Sequence, residues 1–370
     1  MSQDSNDNNQ RRPNDNGNKR RRRGKGRRGR GGQRGARDKR VGNNKQRSDV
    51  SEREIEAKDK ARGIYEQKPI PLGFPEGLEV PEGKQTIDWD VSPVSKRVER
   101  EACGLVMIPG EWGFLEDEMV DEIADRLRGK GITLEQGLSL RKALMQEKTV
   151  FGHHRMMSRA NTFHKRYENG ETVLQLSKRF DYPPVAIFRA ILTARGWSKS
   201  KIKDGLREPK KRLSKRDQKE FRKAEEKDRV TNVDQGDTAV RADIFEEVVA
   251  LYLDNLGIKY RRQEDLLREQ KKEHGRPVNT PDFLFLERIE INGTPVAWID
   301  AKNFYGANLS FNKKKMKKQM NRYIDEWGSG AIVFRHGFCS GLKVDGVEML
   351  DATPLDLTML LESEDETKLT

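Results

Sequence analysis

The sequence predicts an all-α half followed by an α/β half, behind a basic N-terminal tail. Three observations support this architecture. The first 50 residues contain almost no apolar side chains, the central part places apolar residues at helical spacing, and the C-terminal part alternates a helical pattern with short β-type runs. The predicted segments are a disordered tail at 1–50, a linker at 51–95, a helical domain at 96–230, an α/β domain at 231–355 and an acidic tail at 356–370.

The N-terminal tail carries nearly all of the excess positive charge. The chain has 73 Lys and Arg against 60 Asp and Glu, and residues 1–50 alone hold 17 basic and 5 acidic side chains. Such a segment cannot bury enough apolar surface to offset its conformational entropy, so we expect disorder. The arginine- and glycine-rich run Arg20–Arg30 is similar to nucleic-acid-binding tails, which indicates contacts with DNA or RNA. The run is also typical of a nuclear import signal, and the alternative is a solubilising tail.

Cysteine use and hydropathy exclude two classes of protein. The two cysteines, Cys103 and Cys339, are too few for a disulfide-rich scaffold or a four-cysteine zinc site, and they fit a reducing compartment. The sequence has neither the run of about 18 apolar residues that a membrane span needs nor an apolar N-terminal signal. We therefore expect an intracellular protein without a membrane partner, in the nucleus or the cytoplasm if the source is eukaryotic.

A helix-turn-helix outline is visible in the helical half. Apolar spacing predicts one helix at Glu171–Phe180 and a second at Val185–Arg195, with a break at Asp181-Tyr182-Pro183-Pro184 between them. In a DNA-binding unit of this kind the second helix would offer Arg189 and Arg195 to DNA. A helical hairpin that only packs explains the same spacing equally well, so both interpretations stay open.

The α/β half begins with a helix and continues into strands. Apolar residues share one face of a predicted helix at 241–256. The Asn292-Gly293 dipeptide is a strong signal for a two-residue hairpin. The remaining predictions are strands at 258–263, 280–286, 296–302 and 331–334, a polar loop at 268–279 and a helix at 310–327.

Two carboxylates and a lysine form the candidate chemical site. Because side chains alternate along a strand, Asp300 and Lys302 share one face of the strand at 296–302. Antiparallel pairing with the strand that starts at Asp282 would bring both carboxylates to one end of the sheet. Close carboxylates repel each other, and Mg²⁺ or Mn²⁺ would relieve that repulsion while phosphate and water complete its coordination. Lys302 would then lower the cost of forming hydroxide or stabilise the charge that develops on the phosphate.

The motifs around this site resemble a known family. Thr280-Pro281-Asp282, followed by Trp298-Ile299-Asp300-Ala301-Lys302 and Phe304-Tyr305-Gly306, resembles the TPD-motif family of the codanin-interacting nuclease, within the PD-(D/E)xK nuclease superfamily. The resemblance implies a restriction-endonuclease-like core, a mixed sheet flanked by helices. It also implies metal-dependent hydrolysis of phosphodiester bonds in structured DNA, a codanin-like protein partner and a homodimer.

The resemblance assigns roles to individual positions. It implies that Asp282 and Asp300 bind the metal, that the backbone carbonyl of Ala301 completes the site, and that Lys302 is the catalytic lysine. The first interpretation is an active nuclease. The alternative is a catalytically silent protein that binds nucleic acid or docks a chromatin partner.

Three further groups complete the predicted site. The acidic residue of the first helix, which would join the metal ligands and the catalytic set, is Glu246 or Glu247; family spacing favours Glu246 and the choice stays open. Gln319, on the helix at 310–327, is a secondary catalytic candidate. The same helix is lysine-rich, and its lysines either hold the phosphate backbone or form a solvated face; the candidates for contact are Lys314, Lys317 and Lys318.

Overall fold

The structure is a computed structural model that describes residues 51–110, 112, 115, 117–228 and 235–362. The predicted tail at 1–50 lies outside the described residues, as do residues 363–370 of the predicted acidic tail. The helices are α1 Glu52–Gly63, α2 Lys96–Val106, α3 Asp117–Leu127, α4 Leu134–Met157, α5 Ala160–Glu168, α6 Val173–Phe180, α7 Pro184–Ala194, α8 Lys199–Arg207, α9 Pro209–Arg212, α10 Lys215–Glu226, α11 Gln235–Asn255, α12 Gln263–His274 and α13 Ser310–Trp327. The strands are β1 Gln85–Ile87, β2 Tyr260–Arg262, β3 Phe283–Ile291, β4 Thr294–Lys302, β5 Gly330–Phe334 and β6 Val347–Asp351.

One mixed sheet organises the α/β half. Its order is β1-β3-β4-β5-β6, and β2 pairs with the β3 edge that also receives β1. β3 and β4 are antiparallel, whereas β4, β5 and β6 run parallel to one another. Phe283 pairs with Ile299, so Asp282 and Asp300 are the next facing positions at that end of the ladder. The predicted antiparallel pairing of these two strands is confirmed.

Several local predictions are confirmed. Asn292 (φ 51°) and Gly293 (φ 74°) form the turn between β3 and β4, and a two-residue hairpin of type I′ needs positive φ at both positions. The helix predicted at 310–327 is α13, and the strand predicted at 331–334 lies within β5. These signals are local, which is why the sequence alone carries them.

Helices cover both faces of the sheet. On one face, α11 packs Phe245 and Leu253 against strand residues such as Ile299. On the other face, α1 and α13 enclose Trp298, and Trp327 is fully buried there. Burying each of these large side chains contributes roughly 1.5–3 kcal/mol. The fold is therefore mixed α/β with a sheet flanked by helices, as predicted.

The linker predicted at 51–95 is wrong, because α1 and β1 belong to the fold. β1 pairs in parallel with β3. α1 places Ala57 and Ala61 against the sheet side, and the Ser329 N–H donates to the Ala57 carbonyl at 2.8 Å. A Cβ at Gly328 would lie 2.4 Å from the Ala61 nitrogen, so the two segments approach through small residues. Contacts of this kind leave little hydropathy signal, and a three-residue strand leaves less.

The helical half divides between two cores, which corrects its prediction as one domain at 96–230. α2, α3 and α4 pack with Tyr305 and Cys339 of the α/β half. α5 to α8 and α10 enclose a core of their own around Phe188. Apolar spacing shows that a helix face is buried but not what covers it. Within the described ranges, no helix has both the length and the apolar character that a membrane crossing requires.

Two shorter segments are also corrected. The polar loop predicted at 268–279 is helical as far as His274, because fully buried Leu266 anchors the charged helix α12. The tail predicted at 356–370 begins inside the fold, since Leu360 is fully buried against the α11 face of the sheet. In both places a single buried leucine outweighs a polar composition.

Candidate active site

Asp282 and Asp300 face each other at the end of the β3–β4 ladder. Asp282 precedes β3 by one residue, and Asp300 lies in β4. Only 4% of Asp282 and 1% of Asp300 is exposed to solvent. Two buried carboxylates in this arrangement repel each other, so they require donors or a cation to remain there.

Asp282 is held on both carboxylate oxygens. The Ala301 N–H donates to Oδ2 at 2.7 Å, and the Gln263 side-chain amide donates to Oδ1 at 2.9 Å. Burial raises the pKa of Asp282 well above its ordinary value, and neighbouring Asp300 and Glu246 raise it further, against the lowering effect of Lys302. The environment therefore favours a bound proton or a cation at this carboxylate.

Lys302 forms an ion pair with Asp300, its Nζ contacting Oδ2. Burial lowers the pKa of Lys302, but the carboxylates of Asp300 and Asp282 outweigh burial, and the net pKa lies above the ordinary value for lysine. The ammonium is therefore charged. A fifth of the Lys302 side chain is exposed, whereas its partner Asp300 is buried.

Helix α13 contributes the polar wall of the site. The Gln319 side-chain amide donates to Asp300 Oδ1 at 3.4 Å and to the Tyr323 hydroxyl at 3.2 Å. That hydroxyl donates to the Thr280 carbonyl at 3.1 Å, and burial raises the pKa of Tyr323 to about 12. The structure thus brings Gln319 to the predicted place and adds Tyr323 to the network.

The structure distinguishes the two glutamates of α11. Burial raises the pKa of Glu246, whose surroundings include Lys302 and Asp300. Glu247 instead pairs with Arg262 at 2.5 Å, and 54% of its side chain is exposed. Glu246 is therefore the one that lies at the carboxylate site, which agrees with the spacing preferred from sequence.

The donor set fits a hard divalent cation without being a preformed cage. Among the described residues, no three His, Cys, Asp or Glu side chains are grouped closely enough to enclose a metal by themselves. Mg²⁺ commonly takes only one or two protein carboxylates and fills its octahedral shell with waters and substrate phosphate. Asp282 and Asp300 would supply those two carboxylates, with Glu246 beside them and Ala301 between Asp300 and Lys302 in β4.

The two arginines predicted to contact DNA from the helical half, Arg189 and Arg195, have different surroundings in the structure. Arg195 donates to Glu168 at 2.6 Å and to Asp217 at 2.9 Å, so its guanidinium is committed inside the fold, which argues against the DNA role predicted for it. Arg189 is exposed, but the rest of α7 is mostly buried. A recognition helix needs an exposed face, and α7 is the central helix of its core instead.

The predicted lysine contacts on α13 are exposed. Lys314, Lys317 and Lys318 all face solvent, and Lys317 lies 4.0 Å from Asp345. At 100° per residue, Lys317 and Lys314 lie on helix faces away from Gln319, whereas Lys315, which the sequence did not single out, lies near it.

Residues that sequence patterns missed hold the site from outside the catalytic strands. Gln263 starts α12 and binds Asp282, but its spacing to Asp282 follows no motif. From the helical half, Glu99 accepts from the Asn308 N–H at 3.0 Å and Ser139 accepts from the Tyr305 N–H at 2.9 Å. Only the fold brings these side chains to the segment after β4, so no sequence signal could have identified them.

The α/β half is similar to known sequences. Residues 213–353 match the TPD sequence-motif family. That family is described as proteins of unknown function, and the matched segment includes Asp282, Asp300 and Lys302. An uncharacterized protein of Acanthamoeba polyphaga mimivirus is 33% identical over 123 residues, which cover 32% of this chain and 43% of the relative. No solved structure matches the chain.

Proposed function

We propose that this protein is a metal-dependent nuclease of the PD-(D/E)xK type, which hydrolyses DNA phosphodiester bonds with Mg²⁺ or Mn²⁺. One observation carries the proposal. Asp282 and Asp300 are buried face to face at a strand end, with the charged Lys302 beside Asp300. Buried like charges cost several kcal/mol unless compensated, so a sheet end selected only for stability would be apolar. The TPD-motif match over the same residues supports the proposal.

The side chains of the site divide the work of hydrolysis. A bound Mg²⁺ would supply a polarised phosphate and a water of lowered pKa. Asp282 and Asp300 would hold that ion, with Glu246 placed to accept a proton or bind an outer water. Lys302 stabilises the negative charge that develops on the phosphate oxygens, and its ammonium is already held in place by Asp300. Gln319 fixes the other Asp300 oxygen.

Structured DNA is the substrate class that this proposal names. The restriction-endonuclease-like pattern gives no sequence preference, and the described residues offer no exposed recognition helix for a duplex at α7. A junction, flap or fork is therefore favoured over a base-specific duplex site. The preference for structured DNA rests on the family resemblance, and cleavage rates on a panel of DNA substrates test it.

Paired variants of the site test the proposal. The full-length protein with Mg²⁺ or Mn²⁺ should cleave labelled branched or flapped DNA. Asp300→Asn and Lys302→Met should each lower the cleavage rate by about 100-fold or more, because each removes a group that acts in the transition state. Glu246→Gln should lower it by about tenfold or more, whereas Glu247→Gln, its exposed neighbour, should leave it within about twofold.

Every variant must still unfold in a cooperative thermal transition above the assay temperature, so that lost activity reports chemistry and not loss of the fold. A wild-type rate of DNA cleavage in the Asp300→Asn variant would overturn the proposal. Tight DNA binding without metal-dependent cleavage on any substrate would instead assign a catalytically silent binding function. The Lys302–Asp300 ion pair, which places an ammonium at a carboxylate that a metal would need, is the observation that favours this second candidate.

A further inference from the structure

Two aromatic rings, the exposed Phe151 and the half-buried Phe311, meet at the junction of α4 and α13. The ring centroids of Phe151 and Phe311 lie 6.4 Å apart with their planes at 88°. Phe151 is 61% exposed, more than any other large apolar side chain among the described residues. Single exposed apolar side chains are ordinary, but an exposed ring packed on a second, half-buried ring beside a proposed active site marks an interaction surface.

The aromatic pair rests on a fixed helix contact. Glu147, one turn before Phe151 on α4, accepts a hydrogen bond from the Phe311 N–H at 2.7 Å. This bond satisfies one of the free amides in the first turn of α13. The bond therefore fixes α13 at Phe311 against α4, and the Glu147 carboxylate is already engaged.

A row of cations continues from Phe311 along α13. Positions 311, 315, 318 and 322 fall within about 60° of one another at 100° per residue, so Lys315, Lys318 and Arg322 form one stripe with the ring. All three cations are exposed. No ion pair joins any of them to another residue in the part of the chain that the structure describes.

This stripe, defined by Phe311, Lys315, Lys318 and Arg322, borders the candidate active site. Lys315 lies one helical turn before Gln319, which contacts Asp300. Phe311 precedes Gln319 by two turns, about 12 Å along the axis at 1.5 Å per residue. A stacked strand advances about 3.4 Å per nucleotide, so that distance spans roughly three to four nucleotides.

We infer that Phe151 and Phe311 form a base-stacking platform for an unpaired DNA strand whose phosphates follow Lys315, Lys318 and Arg322 toward the Asp282–Asp300 site. Base faces are available for stacking only where the strand is unpaired, and aromatic rings with neighbouring cations are the usual combination in proteins that bind single strands. The inference rests on the proposed function for its direction and narrows the substrate to DNA with a single-stranded segment. Flaps and forks have such a segment, whereas a blunt duplex does not.

Binding without turnover tests the platform. We would measure fluorescence anisotropy of the full-length protein with EDTA present, using a labelled oligothymidylate and a blunt duplex of equal length. The double variant Phe151→Ala/Phe311→Ala should lose about tenfold in affinity for the single strand and less than about twofold for the duplex, because stacking on aromatic rings contributes an effect of this size. Leu251→Ala, which shortens another exposed apolar side chain, is the matched control and should change neither affinity.

The cation stripe has its own matched pair. Lys315→Gln/Lys318→Gln should weaken binding of both DNAs and lower the slope of log affinity against log salt by about 1.4 for the single strand. Lys317→Gln, on the other side of the same helix, should lower the slope by less than half that amount. The tail at 1–50 is present in every variant, so it adds the same background to each comparison.

The outcomes separate this inference from the proposed nuclease. Equal losses for single strand and duplex in the double phenylalanine variant would overturn the platform, as would no loss for either. Loss of self-association with unchanged DNA affinity would assign the rings to a protein contact and also overturn it. Because the assay runs without metal, a nuclease proposal that fails with Asp300→Asn leaves the platform result standing, and the reverse holds too.

Discussion

At the scale of single residues, the site is defined by which donor holds which carboxylate oxygen. Asp282 receives a backbone N–H on one oxygen and the Gln263 amide on the other. Asp300 receives Lys302 on one oxygen and Gln319 on the other. Three of the four oxygens thus accept a hydrogen bond, whereas Asp300 Oδ2 is buried with only the Lys302 ammonium in contact. These contacts set the orientation of the two carboxylates.

Gln263 is a positioning residue whose removal should be felt at Asp282. We predict that Gln263→Ala lowers metal-dependent DNA cleavage by about 10- to 100-fold, because outer-shell partners of metal-binding carboxylates contribute effects of this size. The loss should appear mainly as weaker Mg²⁺ binding, so that half-maximal cleavage requires a higher Mg²⁺ concentration. A titration of the metal at fixed DNA concentration measures this. Gln263→Asn, which keeps an amide one methylene shorter, should recover part of the activity.

An unchanged Mg²⁺ titration in Gln263→Ala would contradict this positioning role. Gln175→Ala provides the matched control, since the Gln175 side-chain amide also makes a hydrogen bond, accepting from the Thr172 N–H at 2.8 Å, but lies in the cap of α6. Its cleavage rate should equal that of the parent.

Sequence patterns could find the residues that local geometry brings together, and no others. Asp300 and Lys302 share a strand face by period-two alternation, and the hairpin signal pairs them with Asp282. Gln319 lies on a strongly periodic helix. Gln263 reaches Asp282 across the junction of β2 and α12, whose geometry no local pattern encodes.

At the scale of elements, the helix that looked like a DNA reader is the centre of a packed unit. α5, α7 and α10 meet at Asp217, which accepts from Tyr167 at 2.9 Å, Arg195 at 2.9 Å and Ser214 at 2.8 Å. Burial raises the pKa of Asp217, but these three hydrogen bonds outweigh burial and the pKa is lowered. The prediction of two successive helices, α6 and α7, was correct. The helices packed around α7 bury it in a core, which leaves it without the exposed face of a recognition helix.

The Asp217 network predicts a pH-dependent contribution to stability. A carboxyl whose pKa is lowered in the folded state stabilises the fold above its ordinary value of 3.8, and this contribution is lost as pH falls through the lowered value. Asp217→Asn should therefore lower the free energy of unfolding by about 3 kcal/mol at neutral pH. The difference from the parent, measured by urea unfolding from pH 7 to pH 3, should shrink only below about pH 4.

Asp204→Asn is the control for this network. Asp204 makes a longer surface pair with Arg207 at 3.8 Å, and such pairs contribute about 0–1 kcal/mol. A difference for Asp217→Asn as small as that for Asp204→Asn would show that the three hydrogen bonds do not act as a stabilising network.

At the scale of the whole molecule, the segment that matches the TPD-motif family does not contain its own support. The match covers residues 213–353, yet α1 lies against the sheet with its Ala57 carbonyl bonded to Ser329, and the Trp89 indole donates to the Asp351 carbonyl at 2.8 Å. Glu99 in α2 holds the segment after β4. The sequence predicted an α/β domain at 231–355 and gave no sign of the segments that cover it, because these approach through small residues and backbone contacts.

A fragment test follows from this dependence. We predict that residues 213–353 expressed alone lack a cooperative thermal transition and are digested rapidly in limited proteolysis. Residues 49–370 should unfold cooperatively and resist digestion, because that range contains every described element. A cooperative, protease-resistant 213–353 fragment would contradict the role assigned to α1, β1 and α2.

The sheet contains both β1, from early in the chain, and β6, from late in it, and this arrangement dictates when the protein can finish folding. The Ser92 N–H binds the Asp351 carboxylate at 2.7 Å, across 259 positions of sequence. On the ribosome, α1 and β1 emerge early, and β1 has no strand partner until β3 has been synthesised. The Ser92 N–H must wait still longer, until β6 supplies Asp351. Long-range pairing of this kind slows folding and leaves apolar surface exposed meanwhile. We therefore expect the nascent chain to bind chaperones. Slower translation of its last third would lengthen the time for which the early segments lack their partners.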